Sequence, residues 1–102
     1  MIGIRLTAME YTFSSIVIEW RGPSPFHFAT IPDDIAAEIK LAAPTLTYGW
    51  GVIPATVTVG ETSVTTSLIP RNGGYLVPLK DAIRKPEGFA IGDVIAVELR
   101  LG

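Results

Sequence analysis

Apolar and polar residues alternate along most of this chain, and only two short stretches repeat at helical spacing. In "YTFSSIVIEW" the density of β-branched and aromatic residues predicts a strand from Tyr11 to Trp20. The Gly/Pro-rich "RGPSP" reads as a loop. "FHFATI" predicts a second strand. Phe26, Phe28 and Thr30 share one face of it and His27, Ala29 and Ile31 the other, because successive strand side chains point opposite ways.

The period then changes. In "PDDIAAEIKLA" Ile35 and Ile39 stand one helical turn apart, which predicts a short helix. Pro32 suits its first position, Asp33 and Asp34 suit its positive N-terminal end, Lys40 lies near its C-terminus, and Pro44 is expected to stop it. "YGWGVIPATVTVG" returns to strand character. Gly60-Glu61 predicts a tight turn with glycine first, and "TSVTTSLI" the returning strand. "PRNGG" predicts another turn, since Asn72-Gly73 is a strong hairpin signal. After the short strand "YLV", "PLKDAIRK" predicts a second helix, begun by Pro78 and ended by Pro86, with Leu79 and Ile83 facing inward. In "GDVIAVELRL", Val94, Ala96, Glu98 and Arg100 share one strand face and Ile95, Val97, Leu99 and Leu101 the other.

Together these elements predict a mainly β fold: a small split or pseudo β-barrel of about six or seven strands with two short capping helices. The expected core comprises Phe13, Ile16, Ile18, Phe28, Ile35, Ile39, Val57, Val59, Leu68, Leu76, Leu79, Ile83, Ile95, Val97 and Leu99. The two halves also look alike. "ATIPDDIAAEIK" leads into "GWGVIPATVTV", and "YLVPLKDAIRK" leads into "GDVIAVELRL". Each reads as strand, proline, short helix, glycine, strand. An internal duplication would put one helix at each end of the barrel; a chance recurrence of a common connector is the alternative.

"FHFATIPDDIAAEI", "YGWGVIPATVTVG", "TSLIPRNGGYLVPLKDAIRK" and "GDVIAVEL" together resemble a bacterial family known as domain of unknown function 1905. The likeness runs from about Tyr11 to Leu101. It rests on the aromatic before "PDDIAAEI", the Gly-Trp-Gly, the Thr-Ser before Pro70, Pro78 and Lys80, Arg84-Lys85 and Gly92-Asp93. Val64 departs from it, standing where a large aromatic is more usual. The resemblance implies a small split barrel and no established activity. The stretch "LVPLKDAIRKPEGFAIGDVIAVEL" is also similar, over a shorter span, to the swapped-hairpin half of AbrB-type transcription factors and the MazE antitoxin.

Composition narrows the function classes. The 102 residues suit one domain, and 48% hydrophobic with 18% charged residues favours a packed globule over disorder. Without cysteine there is neither a disulfide framework nor a thiolate metal site. A net charge of -2 disfavours general nucleic-acid binding. "MIGIRLTAMEY" lacks the apolar middle of a secretory leader, and no apolar run is long enough to cross a membrane, so a cytoplasmic protein is expected.

The candidate chemistry is sparse. His27 is the one histidine, so a serine–histidine–acid triad would have to use it, yet a strand histidine between Phe26 and Phe28 reads as structural. One histidine and no cysteine make a zinc or iron site implausible, and no cofactor is expected. Asp33 and Asp34 are adjacent on a helix and so do not face each other as an acid–base pair; the helix dipole accounts for both. Trp50, between two glycines, suits either stacking on a ring-bearing ligand or plugging the barrel end.

The basic residues are the most informative. Lys80 and Arg84 lie four apart on the second helix, Arg71 sits on the preceding turn, and Ser67 can add a hydroxyl. Trp50, Ser67, Arg71, Lys80 and Arg84 are therefore the candidate ligand-binding residues, for a small anion or a protein partner. The alternative is a solvated helix whose charges pair with Asp93 or Glu87. A non-enzymatic binding module is the first functional expectation. A DNA-binding factor of the swapped-hairpin kind is the alternative, and an enzyme of unknown reaction the residual one. The sequence does not set the oligomeric state.

Overall fold

The computed structural model describes residues 9–21, 25–46 and 53–101. The elements follow in the order β1 (Met9–Arg21), β2 (Pro25–Thr30), α1 (Asp33–Leu46), β3 (Ile53–Val59), β4 (Thr62–Arg71), β5 (Gly74–Pro78), α2 (Asp81–Glu87) and β6 (Val94–Leu101). The strands form a closed, wholly antiparallel barrel in the ring order β1-β2-β5-β4-β3-β6. The mainly β prediction holds, with six strands.

β1 closes the ring because it is long enough to serve two partners. Met9 to Ile16 pair with β6, and Val17 to Arg21 pair with β2. At the changeover the ladder is completed by a side chain. The Ser15 hydroxyl accepts from Thr30 N–H at 3.0 Å and donates to the Ile16 carbonyl at 3.1 Å. Ser15 is thus buried, as the inward residue between Phe13 and Val17.

That phase corrects two expected core positions. Ile16 faces Val94 across β1 and β6 and is 54% exposed, and Ile18 is only half-buried. The run "SSIVI" offers apolar residues in both phases, and the partner strands choose the one holding Phe13 and Val17. Ile35 is partly buried against the core instead of inside it. The other expected core residues are buried, among them Ile39, Val57, Leu68, Ile83, Val97 and Leu99. Phe28 and Leu76 are buried outside the main cluster.

Both turns form as predicted. Gly60 takes φ 60 at the first central position of the β3–β4 turn, and Asn72 and Gly73 take φ 51 and 79 between β4 and β5. The helix ends differ from expectation. Pro32 precedes α1, and its carbonyl accepts from Ala36 N–H at 2.8 Å. Pro44 lies inside α1 and does not stop it. It is exposed and near the C-terminal end, so solvent can reach the carbonyl it leaves without an N–H partner. Pro78 is the last residue of β5, not the first of a helix. Lys80 caps α2, accepting on its carbonyl from Ile83 and Arg84 N–H. Pro86 falls within the last turn, and α2 ends at Gly88, whose φ of 69 lets its N–H reach the Arg84 carbonyl at 2.8 Å.

The two-halves pattern has a counterpart in the ring. Exchanging β1 with β4, β2 with β5 and β3 with β6 reproduces the same set of neighbours, with α1 and α2 in equivalent connections. The helices lie at opposite ends of β4. Gly74, beside the β4–β5 turn, faces Ala36 of α1. The β3–β4 turn meets α2, where Glu87 accepts from Thr62 Oγ1 at 2.6 Å and from Glu61 N–H at 3.3 Å.

Candidate functional site

The Asn72-Gly73 turn reverses the chain so that Arg71 pairs with Gly74 at the tip of a hairpin. Tyr75 then accepts from Ile31 N–H at 3.3 Å, which brings this tip against the connection from β2 into α1. Between them lies a recess of about 480 Å³, within the usual range of small-molecule sites. Ile31, Tyr75 and Leu76 are buried residues that line it, joined by the half-buried Ile18. Arg71, Asn72, Glu19, Asp33 and Thr30 are its exposed polar residues. The hollow therefore joins apolar surface to a few charged groups.

Of the five sequence-derived candidates, Arg71 lines this recess. Ser67 sits half-buried on β4 opposite Pro54. Trp50 lies outside the described residues. Lys80 caps α2 and Arg84 lies within it, away from the hairpin tip. Glu87, on the turn after Arg84, bonds to Thr62, and the nine residue steps from there to Arg71 cover about 30 Å of strand. Arg71 and Arg84 do not converge.

The charges on α2 are instead satisfied along the helix. Arg84 Nη2 donates to Asp81 Oδ1 at 2.9 Å, and Lys85 Nζ stands 3.7 Å from Asp81 Oδ2. The hydrogen bond from Arg84, with the field of Lys85 and Arg84, outweighs desolvation and holds the Asp81 carboxyl below its ordinary value. Asp93 and Glu87, the partners weighed from the sequence, are engaged elsewhere. Asp93 Oδ2 accepts from Ala90 N–H at 2.8 Å, and Glu87 holds the β3–β4 turn. Arg84 is 28% exposed at its side chain, and its Nε is enclosed with no acceptor among the described residues.

Two smaller hollows of about 280 and 290 Å³ flank Arg100 on the outer face of β4, β3, β6 and β1. Their walls are the hydroxyl-bearing outward residues Thr56, Thr58, Ser63 and Thr65, with Glu10 and Glu98. Tyr11 ties this region to α1 through a 3.2 Å bond to Glu38, and burial, with that carboxylate, raises its phenol above the ordinary value. Among the described residues no three His, Asp or Glu side chains gather in a metal-binding group, and no helix is long and apolar enough to cross a membrane.

Glu19, Ile31, Tyr75 and Leu76 were not singled out by sequence reasoning as site residues. The β4–β5 hairpin brings Tyr75 and Leu76 beside Arg71, and the β1–β2 and β2–β5 pairings bring Glu19 and Ile31. Asn72-Gly73 was the one local signal that pointed to this corner, as a turn.

The class of protein is a small, closed antiparallel barrel with a helix at either end and one amphipathic recess beside a hairpin tip. The chain belongs to the family described as domain of unknown function DUF1905, whose model matches residues 13–99. No curated protein matches it.

Proposed function

We propose that this chain is a non-enzymatic binding module that holds a small ligand in the recess beside the β4–β5 hairpin, with Arg71 as the anchor for an acidic group. The observation that carries this reading is the placing of the exposed residue Arg71 on a recess of about 480 Å³ that is also lined by the buried residues Ile31, Tyr75 and Leu76. A planar guanidinium binds a carboxylate through two parallel hydrogen bonds, and the adjoining apolar surface supplies desolvation. Lys80 and Arg84 fall outside the proposed site: the Asp81 ion pair accounts for Arg84, which the length of β4 separates from Arg71, and Lys80 follows β5, which leads away from the hairpin tip.

The test is a thermal-shift screen with small carboxylates and other anions, because a ligand that binds only the folded state raises the melting temperature. The reading expects at least one acid to stabilise the wild type, Arg71→Gln to lose that shift, and the Lys80→Ala/Arg84→Ala double variant to keep it. Loss of the shift in the α2 variant with retention in Arg71→Gln would contradict the reading.

A further inference from the structure

The outer face of β1 and β6 changes character partway along. Glu10, Thr12 and Ser14 of β1 stand opposite Arg100, Glu98 and Ala96 of β6. The next outward pair is Ile16 with Val94. Beyond it Ile18 pairs with Phe28 of β2, whose ring centre stands 6.4 Å from that of Phe26. An apolar band thus crosses the outside of β6, β1 and β2. Its middle is covered, with Phe28 buried and Ile18 half-buried. Its ends are open: Val94, Ile16 and Phe26 are 67%, 54% and 55% exposed. The loop carrying Ile91, itself 46% exposed, is held along the same stretch of β1. There Gly92 N–H donates to the Val17 carbonyl and Val17 N–H to the Asp93 carbonyl, both at 2.8 Å. A face that meets only solvent would have continued the polar pattern that ends at Ser14.

We propose that this band is the contact surface of a symmetric dimer, in which a second copy of the chain lays the same band across it. The run "SSIVI" is then apolar in both phases because both phases are covered, the inward one by the barrel core and the outward one by the partner copy. The size of the band fits. Val94, Ile16, Phe26 and Ile91 leave roughly 300–400 Å² open, which matches the largest apolar patches on monomeric proteins. A standard interface buries about 800 Å² per partner around a more apolar centre. The band supplies that centre, and Ser14, Ala96 and Thr30, the next outward residues, fall on its rim. The chemistry points to a second copy as the occupant. Val94, Ile16, Ile18, Phe28 and Phe26 carry no charge, so two identical bands meet without setting like charges against each other, and the band holds no charge pattern for a foreign partner to match. The ring is closed among the described residues, so the copies meet face against face and not by adding a strand to an edge.

The experiment is analytical ultracentrifugation of the whole chain over a wide concentration range, for the wild type and for Val94→Glu, Phe26→Ser and the control Thr65→Glu. The wild type should sediment as a monomer–dimer equilibrium. Val94→Glu places a carboxylate from each copy in the contact and should weaken the dimer at least about tenfold, and Phe26→Ser should weaken it by a similar factor. Thr65→Glu, on the polar part of the outer face, should leave it unchanged. All three positions are exposed, and the circular dichroism spectrum of each variant checks that it folds. Should Val94→Glu fail to fold, Val94→Thr, which keeps the side-chain shape, carries the same test with a smaller loss. A chain that stays monomeric at every concentration overturns the dimer and leaves the band to a different partner. A dimer that both Val94→Glu and Phe26→Ser leave intact overturns it as well, because the contact then lies elsewhere. So does a dimer that Thr65→Glu weakens as much as they do. Assembly that grows beyond two copies contradicts the twofold contact.

Discussion

Ser15 shows how one hydroxyl can stand in for a rung of a β-ladder. It lies where β1 passes from β6 to β2, accepts from Thr30 N–H, and occupies an inward position between two apolar residues. Ser15→Ala leaves that N–H without its acceptor and should lower stability by about 1–3 kcal/mol in urea unfolding. An unchanged midpoint would remove Ser15 from the account. Gly60 makes a second residue-scale case. It has φ 60, and a side chain there would run into the Glu87 carboxylate that holds Thr62. Gly60→Ala should cost roughly 1–3 kcal/mol. In a Glu87→Ala background the same change should cost less, because only backbone strain remains. Asp81 supplies the pH dependence. Its carboxyl is held below the ordinary value by Arg84 first, so the helix contribution is present above the ordinary carboxylate range. It is lost as pH falls through the lowered value. A carboxyl-carbon NMR titration should place the Asp81 midpoint below that of a free aspartate and move it upward in Arg84→Ala. An unmoved midpoint would contradict the pairing.

At the scale of elements, strand phase and register decide what the side chains do. β6 alternates strictly between buried and exposed residues, and that pattern is plain in "VIAVELRL" because one face meets solvent. The two turns are equally legible, since Gly60 and Asn72-Gly73 supply the positive φ values that tight hairpins require. β1 is not legible in the same way: "SSIVI" is apolar in both phases, and only Val94 and Phe28 opposite Ile16 and Ile18 fix which residues point inward. Val17→Ala should therefore cost roughly 2–3 kcal/mol, and Ile16→Thr about 0.5 or less, in paired denaturation curves. The reverse order would mean the strand has the other phase. Pro44 and Pro86 misled as stop signals because each lies in the last turn of its helix, where few intrahelical bonds remain to be broken. At the recess, Arg71 was legible as a basic residue on a turn. Glu19 and Asp33 were not, because they reach it through pairings between strands far apart in sequence.

At the scale of the whole molecule, closure of the ring couples every strand to two others, and no strand among the described residues is left with an unpaired side. One hydrophobic cluster runs through all six strands and both helices. The barrel should therefore unfold in a single cooperative step, with coincident circular dichroism and calorimetric transitions. Two separated transitions would show that the equivalent halves are independent units. The same closure sets the two ends of the barrel apart. One carries α2 with its internal ion pairs, and the other carries the amphipathic recess with Arg71. The most direct test of that assignment is backbone amide shift mapping during titration with the small carboxylate that stabilises the chain most in the thermal-shift screen. Binding at the recess predicts saturable changes at Thr30, Ile31, Gly73, Gly74, Tyr75 and Leu76, with Lys80 to Lys85 unmoved. Changes centred on Lys80 to Lys85, with Gly73 to Leu76 unmoved, would contradict it.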